Sequence, residues 1–305
     1  MIMKKSGMML YHLAAFITVA IWGSTFVFTK MLLQNGLSPA QIFTLRFIIA
    51  YALMTTYSIL TGRFKLLSSS MRDELTMLLL GITGGSVYFL TENAALLYTT
   101  ATNTSLIVCT CPLFAMLLVA IVYRHSEHIG RIQAVGSLIA CAGMAVVVLN
   151  GHFVLHLSPR GDILAFAACL CWAFYSLLMK TASQRYNTIF ITRKVFFYGL
   201  ITIIPYYIVF PGFPSVQTLL HGDVVWNLLF LGVVASMLCF VVWNWVIDKL
   251  GAVVATNWVY FNPITTILFA WWLLNETITP WFLLGTTLII AGMLLSDRQS
   301  HNKPE

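Results

Sequence analysis

From about residue 9 to residue 296 the chain runs as long apolar stretches separated by short polar ones. The stretches lie at about 9–30, 38–60, 74–95, 99–122, 129–149, 160–182, 188–210, 224–246, 251–274 and 278–296. Each has the roughly 17–25 residues that carry an α-helix across a bilayer. None shows the in-and-out alternation of a barrel strand. In hydrocarbon a helix satisfies its own backbone polar groups, so the pattern predicts an all-α integral membrane protein with ten transmembrane helices. The longest connections, TGRFKLLSSSMRDE and NGHFVLHLSPRGD, leave no room for a soluble domain.

The stretches repeat. Ala15, Trp22 and Lys30 recur 150 positions later as Ala165, Trp172 and Lys180, and Ile42, Phe43, Arg46 and Tyr51 recur after 147 as Ile189, Phe190, Arg193 and Tyr198. At an offset of 151, Gly81, Phe89, Asn93, Ala101 and Pro112 pair with Gly232, Phe240, Asn244, Ala252 and Pro263. At 149, Glu127, Gly136 and Gly143 pair with Glu276, Gly285 and Gly292. The offset changes only at loops. The chain therefore reads as two five-helix units, 9–149 and 160–296, and an odd number of spans turns the second unit upside down. Two inverted repeats are the pattern of a secondary transporter, in which a central site alternates its access. Lys4 and Lys5 before an apolar run resemble a signal peptide, but the run has no Ala-x-Ala site and belongs to the repeat.

Composition agrees with the pattern. Of 305 residues 59% are hydrophobic and 9% charged, against about 25% charged in a soluble domain, and the mean hydropathy is +0.87. The net charge of +7 comes from 17 basic residues scattered between apolar segments, which form no stripe and predict no nucleic-acid partner. Basic residues gather on the cytoplasmic side of a membrane protein. With the N-terminus cytoplasmic, that side receives Lys4, Lys5, Arg63, Lys65, Arg72, Arg124, Arg131, Lys180, Arg185, Lys249, Arg298 and Lys303, and the other keeps Lys30 and Arg160. The expectation is a multi-pass protein of the plasma (inner) membrane with both termini cytoplasmic. The six cysteines all lie in apolar segments and read as small buried hydrophobes. His152 and His156 lack a third ligand nearby, so no metal and no cofactor are predicted.

With these residues in view, the chain resembles the ten-helix EamA-like branch of the drug/metabolite transporter superfamily. The likeness rests on WGSTFVFTK, on Arg46 in TLRF, and on ALLYTTATNTSLIVCTCPLF in the first half. In the second half it rests on GDILAFAACLCWAFYSLLMK and ATNWVYFNPITTILFAWWLLNETIT, followed by a glycine-rich last helix. The resemblance implies efflux of small polar metabolites, often amino acids or their derivatives, through a cavity between the halves. The related four-helix multidrug exporters carry a glutamate in helix 1. Here helix 1 has Trp22-Gly23-Ser24-Thr25 instead, which argues against copying their proton exchange.

Polar groups inside hydrocarbon face the protein interior or a wet cavity. Gly81, Gly85, Tyr88 and Glu92 recur at helical spacing on one face, and the equivalent positions are Gly232, Ser236, Cys239 and Trp243. The small residues repeat and serve packing; the glutamate does not repeat and points to a ligand or a coupling proton. Its alternative is an interfacial carboxylate, solvated or paired with Arg46. Arg46 either anchors a substrate carboxylate or snorkels to the interface. The candidate substrate-binding set is Trp22, Ser24, Thr25, Arg46, Tyr88, Glu92, Asn93, Asn103, Trp172, Tyr175, Trp243, Asn244, Asn257 and Trp258. Pro112 and Pro263 are candidate hinges, since proline inside a helix frees a carbonyl and kinks it. The glycines of the fifth and tenth helices predict close packing. No His-Glu-x-x-His, Gly-x-Ser-x-Gly or phosphate-binding glycine loop is present, so no enzyme is predicted. The expected function is a secondary transporter exporting small polar metabolites such as amino acids, with membrane lipid and a small-molecule substrate as partners. The alternatives are a passive, channel-like facilitator and a membrane protein without transport.

Overall fold

The computed structural model describes residues 2–99, 101–122, 130–149, 158–274 and 280–298. Helices α1 (Ile2–Gln34), α2 (Pro39–Leu60) and α3 (Met71–Tyr98) are followed by α4 (Ala101–Val108), α5 (Cys111–Val122) and α6 (Arg131–Leu149). Then come α7 (Pro159–Ser183), α8 (Thr188–Val209), the single turn α9 (Val216–Leu219) and α10 (Gly222–Leu250). Last are α11 (Ala252–Asn257), α12 (Asn262–Leu274) and α13 (Pro280–Arg298). No strand occurs among the described residues. Seven of these helical stretches are long and apolar enough to cross a membrane, and Cys111–Val122, Arg131–Val146 and Leu283–Ser296 are shorter apolar helices.

Local chemistry sets the boundaries. Ser38 and Gln41 form a reciprocal capping box ahead of Pro39. Ser70 caps α3 and Asn187 caps α8 through their side-chain oxygens. Gly36 ends α1 and Gly251 divides α10 from α11, both at positive φ.

Two departures from regular helix were not legible as such. α3 contains a π turn at Ile82–Ser86, with Gly85 at φ −127° and ψ −106°, and α10 contains one at Phe230–Leu238. The π turn rotates the residues after it relative to those before it, so the expected single stripe on α3 splits in two. Gly81 and Gly85 pack on Gly199 of α8, whereas Tyr88 packs on Trp172 of α7. The proline positions also differ from kinks within continuous helices. Pro112 follows a turn at Cys109–Thr110, and Pro263 follows a 3-10 turn at Trp258–Phe261. Each proline thus sits at the second residue of a new helix, where its missing N–H has no partner to lose.

The packing comes in matched pairs. α3 lies on α7 as α10 lies on α1; α5 lies on α7 as α12 lies on α1; and α2 meets the π turn of α10 as α8 meets that of α3. α6 and α13 pack against each other. A Cβ on Gly136 would lie 2.6 Å from the Gly292 oxygen, and one on Gly143 would lie 2.8 Å from the Gly285 oxygen. The expected glycine contacts are therefore present and run crosswise. The six cysteines are free thiols, four buried and two partly buried. His152, His156, Glu127 and Glu276 lie outside the described residues.

A Cβ at Gly292 meets the Ala140 nitrogen at 2.4 Å, backbone that cannot step aside. Overpacking of this kind costs about 1–3 kcal/mol. Gly292→Leu is expected to lower the melting temperature of the purified protein by about 2–10 °C. Gly222→Ala, where a Cβ meets open space, leaves it unchanged. Scanning calorimetry in detergent checks both.

Candidate functional site: a charged cavity between α1, α2, α3 and α7

A cavity lies where α1, α2, α3 and α7 converge with α4, α10 and the start of α12. It is lined by Trp22, Thr25, Phe26, Arg46, Tyr88, Phe89, Glu92, Val108, Trp172, Phe240, Val259 and Asn262. Water centres have about 30 Å³ of room there, space for about two molecules. The site is narrow in this conformation.

Arg46 does not snorkel. It is 2% exposed, its Nε–H donates to Ser236 Oγ at 2.8 Å, and its guanidinium lies 4.4 Å from the centre of the Phe89 ring. It makes no other side-chain hydrogen bond among the described residues, so its two terminal nitrogens keep their donor capacity. Glu92 is 8% exposed and accepts a 2.9 Å hydrogen bond from the Tyr88 hydroxyl. No ion pair joins Arg46 and Glu92 among the described residues. The carboxylate is therefore not solvated at an interface, and it makes no direct ion pair with the arginine among the described residues. Asn262 adds a third polar corner: its buried Oδ1 has no hydrogen-bond partner among the described residues.

The wall is aromatic. Trp22 and Trp172, equivalent in the two repeats, meet edge to face at 5.2 Å. Tyr88 lies 5.1 Å from Trp172. The Trp22 indole N–H donates to Ala235 O at 2.9 Å, inside the π turn of α10, where a widened helix leaves carbonyls to be satisfied from outside. Trp22 therefore offers the cavity its ring and not its N–H.

Of the residues expected from sequence, Trp22, Thr25, Arg46, Tyr88, Glu92 and Trp172 come together here. Others hold helices to one another. Asn93 donates to Pro39 O at 3.1 Å. Asn244 accepts from the Tyr175 hydroxyl and donates to Thr192 at 2.9 Å, joining α7, α8 and α10. Asn257 accepts from Ser137 and donates to Ser296, tying α11 to α6 and α13. Trp258 donates to His12 Nδ1 at 3.2 Å. Ser24 bonds its own helix at Ile21 O. Gly23 is a packing position, since its Cβ would fall 1.7 Å from Thr265 Oγ1. Trp243 is buried against Trp22 at 5.0 Å without lining the cavity. The side chain of Asn103 lies outside the described residues. Phe89 and Phe240 line the cavity without standing out in the sequence as site residues. Their shared offset of 151 marks them, but residues common to both repeats read as packing.

Two clusters lie outside the cavity lining. One is apolar, formed by Leu32, Leu37, Ile42, Val224, Leu228 and Leu231. In the other, Glu74 accepts from Lys194, Tyr198 and the Ser68 N–H. Beside it Asp73 accepts from Arg185 at 2.8 Å and from Tyr186 at 2.9 Å. Lys194 is 3% exposed, and both clusters join the first half of the chain to the second.

Residues 9–149 and 159–296 each match the EamA-like transporter family. The chain belongs to that family. A transporter of Archaeoglobus fulgidus without an assigned substrate is 27% identical over 292 residues, covering 95% of this chain and 98% of that protein. A probable terminal-alkyne amino-acid exporter of Streptantibioticus cattleyicolor is 25% identical, covering 94% and 93%. A solved crystal structure superposes with a TM-score of 0.74 at 18% identity, covering 94% of this chain and 97% of that one, and shares the fold. The protein is thus a multi-pass membrane transporter.

The geometry separates scaffold from cavity. Losing a buried hydrogen-bond partner costs about 1–3 kcal/mol. Asn257→Ala is therefore expected to lower the melting temperature by about 2–10 °C without changing the concentration dependence of transport. Trp172→Ala is expected to raise the half-saturating concentration about tenfold or more. Paired calorimetry and transport assays check the contrast.

Proposed function

We propose that this transporter is a secondary exporter of amino acids or closely related zwitterionic metabolites. It works by alternating access between two inverted five-helix repeats, with ten spans and both termini cytoplasmic. The observation that carries the reading is the coexistence, in one buried cavity, of Arg46 and Glu92 without an ion pair between them. A buried charge is costly unless paired. Two opposite charges without an ion pair between them in one cavity suit a ligand that brings both counter-charges, for which the cavity widens beyond the two waters it holds here.

Arg46 takes the carboxylate through its two terminal nitrogens. Glu92 and Asn262 Oδ1 accept from the ammonium, and the faces of Trp22, Tyr88 and Trp172 stabilise the same cation. The naming of the Streptantibioticus relative as a probable amino-acid exporter supports the substrate class. The matched packing of α1, α2, α5, α10 and α12 with α7, α8 and α3 supports the inverted repeat. Alternating access needs a closure at each end, and the apolar cluster around Leu32 and the Glu74–Lys194 contact suit those roles. The ionic closure lies between residues that the positive-inside pattern puts at the cytoplasm, and the apolar one lies at the opposite end.

Counterflow in proteoliposomes tests the carrier against a passive facilitator, because exchange accelerates only where the site alternates. Loading with unlabelled amino acid is expected to speed entry of the labelled one. Glu92→Gln is expected to abolish the pH dependence of transport; unchanged rates at every pH take Glu92 out of the mechanism.

The cytoplasmic closure is tested separately. Glu74→Ala leaves the Lys194 ammonium buried without its counter-ion, a cost of about 3–5 kcal/mol. In a chain whose only cysteine is Cys239, this change is expected to raise labelling by a thiol reagent from the cytoplasmic side at least tenfold. Labelling at the unaltered rate removes the Glu74–Lys194 contact from gating.

A further inference from the structure

A second pocket, of about 390 Å³, opens on the surface between the α2–α3 and α7–α8 connections. Arg63, Lys65 and Ser69 come from the first connection, Arg185 and Asn187 from the second, with Phe190 at its floor. Lys65 Nζ donates to Ser69 Oγ at 3.2 Å and sits 5.9 Å above the Tyr186 ring. Arg185 is the pocket cation with an ion pair, to Asp73. Arg63 and Lys65 have none among the described residues. The pocket is therefore lined by three cations, the hydroxyl residues Ser69 and Tyr186 and one amide, and by no carboxylate.

The surroundings of the pocket indicate where the anion sits. Phe64, Leu66, Leu67 and Met71 are 42%, 63%, 62% and 84% exposed, interleaved with Arg63, Lys65 and Arg72. Apolar side chains alternating with cations on one short connection fit the boundary between acyl chains and headgroups.

The opposite face supplies a comparison. There a pocket between the α1–α2 and α8–α10 connections is lined by Asn35, Ser215, Gln217, Thr218, His221 and Val224. In the inverted-repeat reading, on which this comparison rests, it is the equivalent place, and Asn35 is the counterpart of Arg185. The architecture makes a pocket on both faces and needs no lysine or arginine to do so.

We infer that the basic pocket binds the phosphodiester headgroup of an anionic phospholipid. The phosphate sits among Arg63, Lys65 and Arg185, and the acyl chains lie along the exposed apolar residues of the α2–α3 connection. A phosphate here competes with Asp73 for Arg185, so the bound lipid bears on the cytoplasmic closure.

The test uses full-length protein in mixed micelles, read by native mass spectrometry and melting temperature. Phosphatidylglycerol is expected to be retained at a discrete stoichiometry and to raise the melting temperature over phosphatidylcholine. Arg63→Gln/Lys65→Gln is expected to lose at least tenfold of that retention; both side chains are exposed, outside the transport cavity and without a fold-holding ion pair. Arg72→Gln, a neighbouring cation outside the pocket, is expected to keep it. Equal retention by the double variant, or an equal loss in Arg72→Gln, overturns the pocket in favour of general surface charge. Stabilisation by millimolar inorganic phosphate that equals the lipid's overturns the headgroup. The measurement involves no transported substrate, so its failure leaves the transport reading standing, and the reverse.

Discussion

A guanidinium in hydrocarbon must find its partners inside the protein, and the arrangement of this transporter depends on where Arg46 finds them. One nitrogen is held by Ser236, the guanidinium lies over Phe89, and the remaining nitrogens have no partner among the described residues. For that to persist, α2 must lie against the π turn of α10, and α3 must carry Phe89 across from it. The ring of aromatic residues around the cavity keeps water to a few molecules, so that each charge retains its strength. Glu92, steadied by Tyr88, is the opposite pole of the same space.

Arg193, the partner of Arg46 in the other repeat, has a different task. It donates to the Lys65 carbonyl and lies 4.2 Å from the Phe64 ring centre, holding the α2–α3 connection in place. The two ends of the molecule diverge in the same way. Where Glu74 and Lys194 close one end with charge, the equivalent places at the other are Val225 and Phe47. An apolar closure is reopened by hydration alone. A buried ionic closure needs its counter-charges exchanged. In the alternating-access reading proposed above, the two ends of the cavity therefore respond to different chemistry.

Much of this was legible in the sequence because hydrocarbon permits few solutions. Apolar length marked the membrane helices, and repetition marked Trp22, Trp172, Arg46 and the packing glycines of α6 and α13; Glu92 stood out because it does not repeat, and these four cavity residues line one space. Asn93, Asn244 and Asn257 were legible as intramembrane amides, but not as ties between helices. An amide in a span looks the same whether its partner is a ligand or the next helix. That Asn93 and Asn244 are equivalent in the two repeats was the available sign that they belong to the scaffold. Ser24 stood out in the sequence as a cavity candidate, but its hydroxyl is satisfied by its own helix, which a pattern of polar positions does not reveal. The π turns were hidden because a glycine pair such as Gly84-Gly85 permits them without demanding them.

The π turn of α3 has a consequence for how such a chain can change over time. It holds one residue more than a regular helix, and one residue is about 100° of rotation. Gly81, before it, is wedged against Tyr198 and Gly199, whereas Tyr88 and Glu92, after it, belong to the cavity. A deletion of one residue within Ile82–Ser86 would let the helix become regular without breaking the span. Because the turn already absorbs that residue, Tyr88 and Glu92 would keep facing Arg46, whereas substitutions that made Ile82–Ser86 a regular helix at full length would turn them by about 100°. The turn works as a phase coupling between the half of the helix that holds the fold and the half that lines the cavity: it takes up a change of length that a regular helix would pass on as a rotation of the site.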